Sequence, residues 1–141
     1  MTILVSACLL GENCKYNGGN NRNERVLRYV DGHEVIPVCP EMLGGLPSPR
    51  KPVEWVVDRV LTRDGDDCTE AFRLGVARAL AMMDGHRVDL AILQSRSPTC
   101  GVKQIYDGTF SGVRVDGMGA LARALKALGV PLMDAEDVPE V

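Results

Sequence analysis

The sequence predicts an α/β fold: a mainly parallel sheet flanked by helices, with a small β-hairpin or ribbon beside it. Three observations carry that expectation. Short, mostly apolar runs at 2–7, 34–38, 88–93 and 130–133 read as strands. Segments with apolar residues at helical spacing lie between them. The 141 residues are 45% hydrophobic and 25% charged, the balance of one ordinary globular domain over 1–141 and not of a disordered chain. Strands alternating with helices in this way give a Rossmann-like layout.

Each element has its own signal. Residues 2–7 (T-I-L-V-S-A) read as a buried strand that stops before Cys8. The stretch to Asn23, with N-G-G-N-N-R-N at 17–23, is loop, and a short helix covers 24–30. Residues 34–38 (E-V-I-P-V) form a second strand and deliver the chain to Cys39. The segment 40–52 holds four prolines and two glycines, too many for a helix or a central strand. Residues 53–63 read as a hairpin or edge ribbon, and D-G-D-D at 64–67 as a turn. Asp67 with Glu70 gives a capping-box-like start to a helix over 69–84, whose stripe is Phe72, Val76, Leu80 and Met83 and which Gly85 ends. Residues 88–93 make a third core strand, followed by a loop through Gly101. Y-D-G-T-F at 106–110 predicts a tight turn between two short strands. A helix over 117–128 places Met118, Leu121, Leu125 and Leu128 on one face, with Gly129 just past its end and a last strand at 130–133.

Several function classes are excluded. A net charge of −3 supplies no general attraction to nucleic acid or anionic membrane, and 4% aromatics is too few for a strand-binding row of stacking rings. No apolar window is long enough to span a bilayer. V-S-A-C at 5–8 imitates a lipoprotein cleavage box, but it lacks the basic and apolar regions of a signal, so a cytoplasmic protein is expected. There is no phosphate-cradling or nucleophile-elbow motif, no H-E-x-x-H and no C-x-x-C.

The informative residues are the five cysteines, Cys8, Cys14, Cys39, Cys68 and Cys100. An odd count with no paired spacing argues against a disulfide framework. Cys8 and Cys39 follow the first two strands directly, and Cys100 lies in the loop after the third. In a parallel sheet those loops share the carboxyl edge, where open α/β folds bind ligands. Three converging thiols suit a metal centre that keeps one position for substrate, and soft thiolates select an iron–sulfur cluster or zinc. Cys68, at a helix start, reads as packing, and Cys14 stays open between the two roles. Glu41, two residues past Cys39, is placed to act as general acid or base, and Ser97, three before Cys100, to donate a hydrogen bond or relay a proton. Arg22, Arg25, Arg50, Lys51, Arg96 and Lys103 flank these loops, either as anion holders or as ordinary surface charge.

S-A-C-L-L-G at 6–11, C-K-Y-N-G at 14–18, P-V-C-P-E-M-L-G-G-L-P-S-P-R at 37–50, S-P-T-C-G at 97–101 and I-Y-D-G-T-F-S-G at 105–112 together resemble the thiouracil desulfidase family. The resemblance runs over nearly the whole chain, which corresponds to the family's short, single-domain form. It implies a 4Fe–4S cluster on Cys8, Cys39 and Cys100, with one iron open to the substrate's sulfur. It also implies Glu41 and Ser97 as the proton-handling pair. Lys15, Asn17, Met42 and Thr99 stand where the family pattern has Arg, Asp, Val and Ser. The implied reaction converts a small thiolated pyrimidine, of thiouracil or 4-thiouridine monophosphate type, to its oxo form with release of sulfide. No nicotinamide or flavin is needed. A non-catalytic carrier of a cluster or metal would use the same thiols but has no need of Glu41. A zinc or thiol-redox enzyme would keep its activity after iron chelation.

Overall fold

The computed structural model describes residues 1–140. In chain order the elements are β1 (Thr2–Ser6), a 3-10 turn (Ala7–Leu10), α1 (Glu24–Val30), β2 (Glu34–Val38), α2 (Pro40–Leu43), β3 (Val53–Val56) and β4 (Arg59–Thr62). They continue with α3 (Thr69–Ala81), β5 (Leu90–Leu93), β6 (Gln104–Tyr106), β7 (Arg114–Asp116), α4 (Ala120–Ala127), β8 (Leu132–Asp134) and a second 3-10 turn (Ala135–Asp137). The main sheet has the order β2-β1-β5-β8 and is parallel throughout. Two antiparallel pairs, β3–β4 and β6–β7, stand apart from it. Pro37 is tolerated within β2 because that strand is an edge of the sheet.

Both faces of the sheet are covered, which is why its strands read as continuous apolar runs. Leu4, Ile36, Ala91 and Leu93 pack with Ala79 of α3 and Leu121 and Leu125 of α4. Ile3, Val5, Leu90 and Ile92 face the other way, against Val26 and Val30 of α1 and the chain end at Ala135 and Val138. A third cluster, Val53, Val60 and Phe72, ties the β3–β4 hairpin to α3, with Trp55 edge-on to Phe72.

Four sequence expectations are corrected. Pro40–Leu43 is helical despite the prolines around it, because Pro40 occupies the first helical turn, where its missing N–H costs nothing. The expected capping box at α3 is absent: Cys68 is the N-cap, and Asp67 instead accepts from the Thr69 N–H at 2.8 Å. The connection between β6 and β7 is a seven-residue loop over 107–113, longer than a tight turn. Leu128 is 63% exposed, because α4 has ended and Gly129, at φ +81°, has turned the chain away. That turn is closed by Val130 N–H donating to the Leu125 carbonyl, a C-cap arrangement that favours glycine.

The most buried positions on α3 include Gly75 and Ala79 rather than only the large stripe residues. These small residues let α2 come into backbone contact. A Cβ on Gly75 would lie 1.8 Å from the Pro40 carbonyl oxygen, and one on Gly44 would lie 2.0 Å from that of Ala71. The position of α2, and of Cys39 and Glu41 with it, therefore depends on two missing side chains.

Candidate active site at the carboxyl edge of the sheet

β1 sits between β2 and β5, so the chain leaves β1 to one side and later returns on the other. Such a reversal opens a crevice at the carboxyl ends of the strands. A cavity of about 520 Å³ lies there, within the size range of small-molecule sites. Cys8, Cys39, Cys100, Glu41 and Ser97 all line it, and so does Cys14. Cys68 does not; it is half-buried in the cluster around Phe72.

Local structure fixes each thiol. Cys8 lies in the 3-10 turn after β1, and Asn21 grips it twice, donating its backbone N–H to the Cys8 carbonyl at 3.0 Å and its side-chain amide to Sγ at 3.5 Å. Cys39 is the N-cap of α2. Cys100 is held by the loop from Ser97, whose Oγ accepts the N–H groups of Thr99 and Cys100 at 3.2 and 3.1 Å. The carbonyls of Pro98 and Thr99 in turn take up the first N–H groups of α4, from Ala120 and Leu121. Trp55 Nε1 donates to the Pro98 carbonyl at 2.8 Å, which adds the β3–β4 hairpin as a brace.

The Cys14 thiol bridges Cys8 and Cys39. Its hydrogen bonds to them are the largest influence on both, and hold each at about 7, below the ordinary thiol value, against the opposing effect of burial. Cys14 is pushed up in return by the same two contacts. Burial pushes Cys100 up to about 12. The donors are all sulfur, and among the described residues no three His, Cys, Asp or Glu side chains are placed to hold a single metal ion. Thiols spread around a cavity fit a group in which separate irons each take one thiolate, and fit less well with zinc, which draws four ligands onto one ion.

Glu41 anchors a polar network facing these thiols. Arg50 Nε donates to its Oε1 at 3.1 Å, and the Thr99 hydroxyl donates to its Oε2 at 3.0 Å. Ser97 Oγ lies 3.0 Å from Thr99 Oγ1, so a chain of hydroxyls runs from Ser97 to the carboxylate. Arg50 also donates to the carbonyls of Cys14 and Pro47, at 2.9 and 3.0 Å. The sequence reading names Arg50 only among six flanking cations and Thr99 only as a departure from the family pattern, and pairs neither with Glu41. Thr99 adjoins Cys100 but is buried under Gly119, and Arg50 serves the carboxylate and the backbone rather than a free anion. Of the other flanking cations, Arg22, Arg25, Lys51, Arg96 and Lys103 each pair with a carboxylate, and among these five Arg96 alone lines the cavity.

The chain as a whole is similar to known proteins. The model of the family described as 2-thiouracil desulfurase matches residues 3–137. An uncharacterized Bacillus subtilis (strain 168) protein, YbbK, is 35% identical over 149 residues, which span 99% of each chain. A solved structure of TudS, described as a 4Fe–4S-dependent thiouracil desulfidase, superposes with a TM-score of 0.89 at 35% identity, covering 98% of this chain and 93% of that one.

Proposed function

The chain belongs to the 2-thiouracil desulfurase family, and from that premise we infer that residues 1–141 form one desulfidase unit, carrying a 4Fe–4S cluster on Cys8, Cys39 and Cys100. The observation that carries this reading is the meeting of those thiols, from the loops after β1, β2 and β5, with Glu41 and Ser97 in one cavity. Three protein thiolates for four irons leave one iron without a protein ligand. The cluster supplies Lewis-acid polarisation of a thiocarbonyl.

The reaction is a hydrolysis, in which a ring C=S and water give C=O and hydrogen sulfide with no net redox change. Glu41 is the base that takes a proton from the attacking water, and Arg50 and Thr99 hold both of its oxygens in place for that task. Ser97 orients the substrate and hands a proton to the departing sulfur, drawing on the hydroxyl chain through Thr99. The substrate is a thiolated pyrimidine of thiouracil or 4-thiouridine monophosphate type. Free thiols suit a reducing, cytoplasmic setting, and no helix among the described residues is long and apolar enough to cross a membrane.

Anaerobic reconstitution followed by iron and acid-labile sulfide analysis tests the cluster, with about four of each expected per chain. Sulfide release from thiouracils tests the chemistry. Glu41→Gln should keep the iron and lose turnover, and a Glu41→Gln enzyme of normal rate would exclude the assigned base. Cluster transfer to acceptor proteins without any thiobase turnover would favour a carrier instead.

A further inference from the structure

Residues 105–112 (I-Y-D-G-T-F-S-G) contribute neither a thiol nor a proton-moving group, yet their loop is fixed at several points. Glu54 Oε1 on β3 accepts the backbone N–H of Gly108 at 2.9 Å and that of Phe110 at 3.2 Å. Arg63, just past β4, donates from Nη2 to the Phe110 carbonyl at 2.8 Å, and its guanidinium stands 5.6 Å from the centre of the Phe110 ring. A Cβ on Gly108 would lie 2.6 Å from the Trp55 carbonyl oxygen, so the loop backbone rests directly on β3.

Inside this clamp Phe110 has φ +57°. A bulky side chain rarely adopts that conformation; Val57 does so too, at φ +58° in the exposed β3–β4 turn, and what sets Phe110 apart is that its φ is held by the Glu54 and Arg63 clamp at the cavity. Strain of this kind persists where the surroundings over-determine it and clusters at ligand sites. Phe110 lines the cavity that holds the thiols and Glu41, and it is only half-buried.

We propose that Phe110 is the substrate-recognising aromatic of this site: its ring is the platform on which the flat heteroaromatic ring of the substrate stacks, and Glu54 and Arg63 fix that platform. The inference rests on the desulfidase reading and deepens it by naming what recognises the ring. Stacking selects a planar ring and is indifferent to its substituents. Tyr16 and Tyr106 also line the cavity, but neither has the positive φ that the Glu54 and Arg63 clamp holds at Phe110.

The test uses cluster-loaded wild-type, Phe110→Leu, Phe110→Tyr and Glu54→Ala proteins. Two quantities are read: the KM for sulfide release from 4-thiouracil, and the Kd for uracil by calorimetry, which needs no turnover. Phe110→Leu is expected to raise both by about tenfold or more, the usual cost of losing a ring that stacks on a base. Phe110→Tyr, which keeps a ring, raises both by less than Phe110→Leu, and Glu54→Ala shifts both in the direction of Phe110→Leu. Iron per chain is unchanged in all four. If wild type turns over and Phe110→Leu binds uracil equally well, the platform is overturned and the desulfidase reading stands. Loss of iron from Phe110→Leu would make the residue structural and would also overturn the platform. A wild-type protein that releases no sulfide from 4-thiouracil or 4-thiouridine monophosphate, and binds neither uracil nor uridine monophosphate, overturns the desulfidase reading and the platform with it.

Discussion

Replacing Arg50 by methionine isolates what the Glu41 pair contributes. Methionine keeps much of the apolar stem and removes every donor. Both partners are nearly out of solvent, with side chains 8% exposed for Arg50 and 13% for Glu41. The variant thus leaves a buried carboxylate without its cation and takes a donor from each of the Cys14 and Pro47 carbonyls. Removing one partner of a buried pair costs about 3–5 kcal/mol. The Thr99 hydroxyl still donates to the other carboxylate oxygen, so the lower end, about 3 kcal/mol, applies. For a chain of this size that loss lowers the melting midpoint by about 6–12 °C. Thermal unfolding of wild type and variant at equal cluster loading measures it, since unequal loading would shift the midpoint by itself. The double variant Arg50→Met/Glu41→Gln should recover most of the loss, because the stranded charge is gone. A single variant within about 1 kcal/mol of wild type, the cost of an exposed pair, would refute the burial argument.

Three further outcomes are expected. Gly75→Ala, at a residue that does not line the cavity, forces α2 away from α3 and should lower both stability and iron content, whereas Ala77→Gly on the exposed side of α3 should leave iron content unchanged; equal iron in both variants would contradict the close approach. Cys68→Ala should retain iron and sulfide in full while Cys100→Ala loses them, as read by metal analysis after reconstitution. In the metal-free protein Cys8 and Cys39, held near 7 against an ordinary 9.0, favour the fold as thiolates. That stabilisation is full above about pH 9 and lost as pH falls through 7, so the melting midpoint should rise from pH 7 to 9 and the rise should flatten in Cys14→Ala, which removes the donor. Cys14 and Cys100, both pushed up, act in the opposite sense only above 9 and do not mask this window.

The sheet was legible because burial on both faces writes itself as short apolar runs, and the carboxyl-edge placement of Cys8, Cys39 and Cys100 follows once those strands are parallel. Their arrival in one cavity with Glu41 and Ser97 is a consequence of strand order. Less legible was anything depending on which distant side chains meet. Thr99 and Glu41 are 58 positions apart, so no spacing rule pairs them. Arg50 looked like one of several flanking cations because its burial comes from the path of the 44–52 loop, which periodicity does not encode. The α2 turn was hidden by counting prolines without asking where in a turn each would stand. The contact between Gly44 and Gly75 leaves in the sequence only two small residues among many.

Among the described residues, none beyond Gly112 lines the cavity. β7, α4 and β8 therefore form a chassis, joined to the rest of the molecule by the β5–β8 and β6–β7 pairings and by Leu121 and Leu125 in the core, and to the site loops by the backbone of residues 98–101 beneath α4 and the Ser95 hydroxyl, which donates to the buried Asp134. The chain is divided into a front portion that carries the site and a rear portion that supports it without reaching it. Chimaeras that exchange the rear portion between relatives should inherit their substrate range from the parent of the front portion, while their heat tolerance draws on both parents. The junction must preserve Gly119, whose missing side chain lets α4 lie against Thr99 and Cys100, together with the β5–β8 and β6–β7 pairings and the core contacts of Leu121 and Leu125.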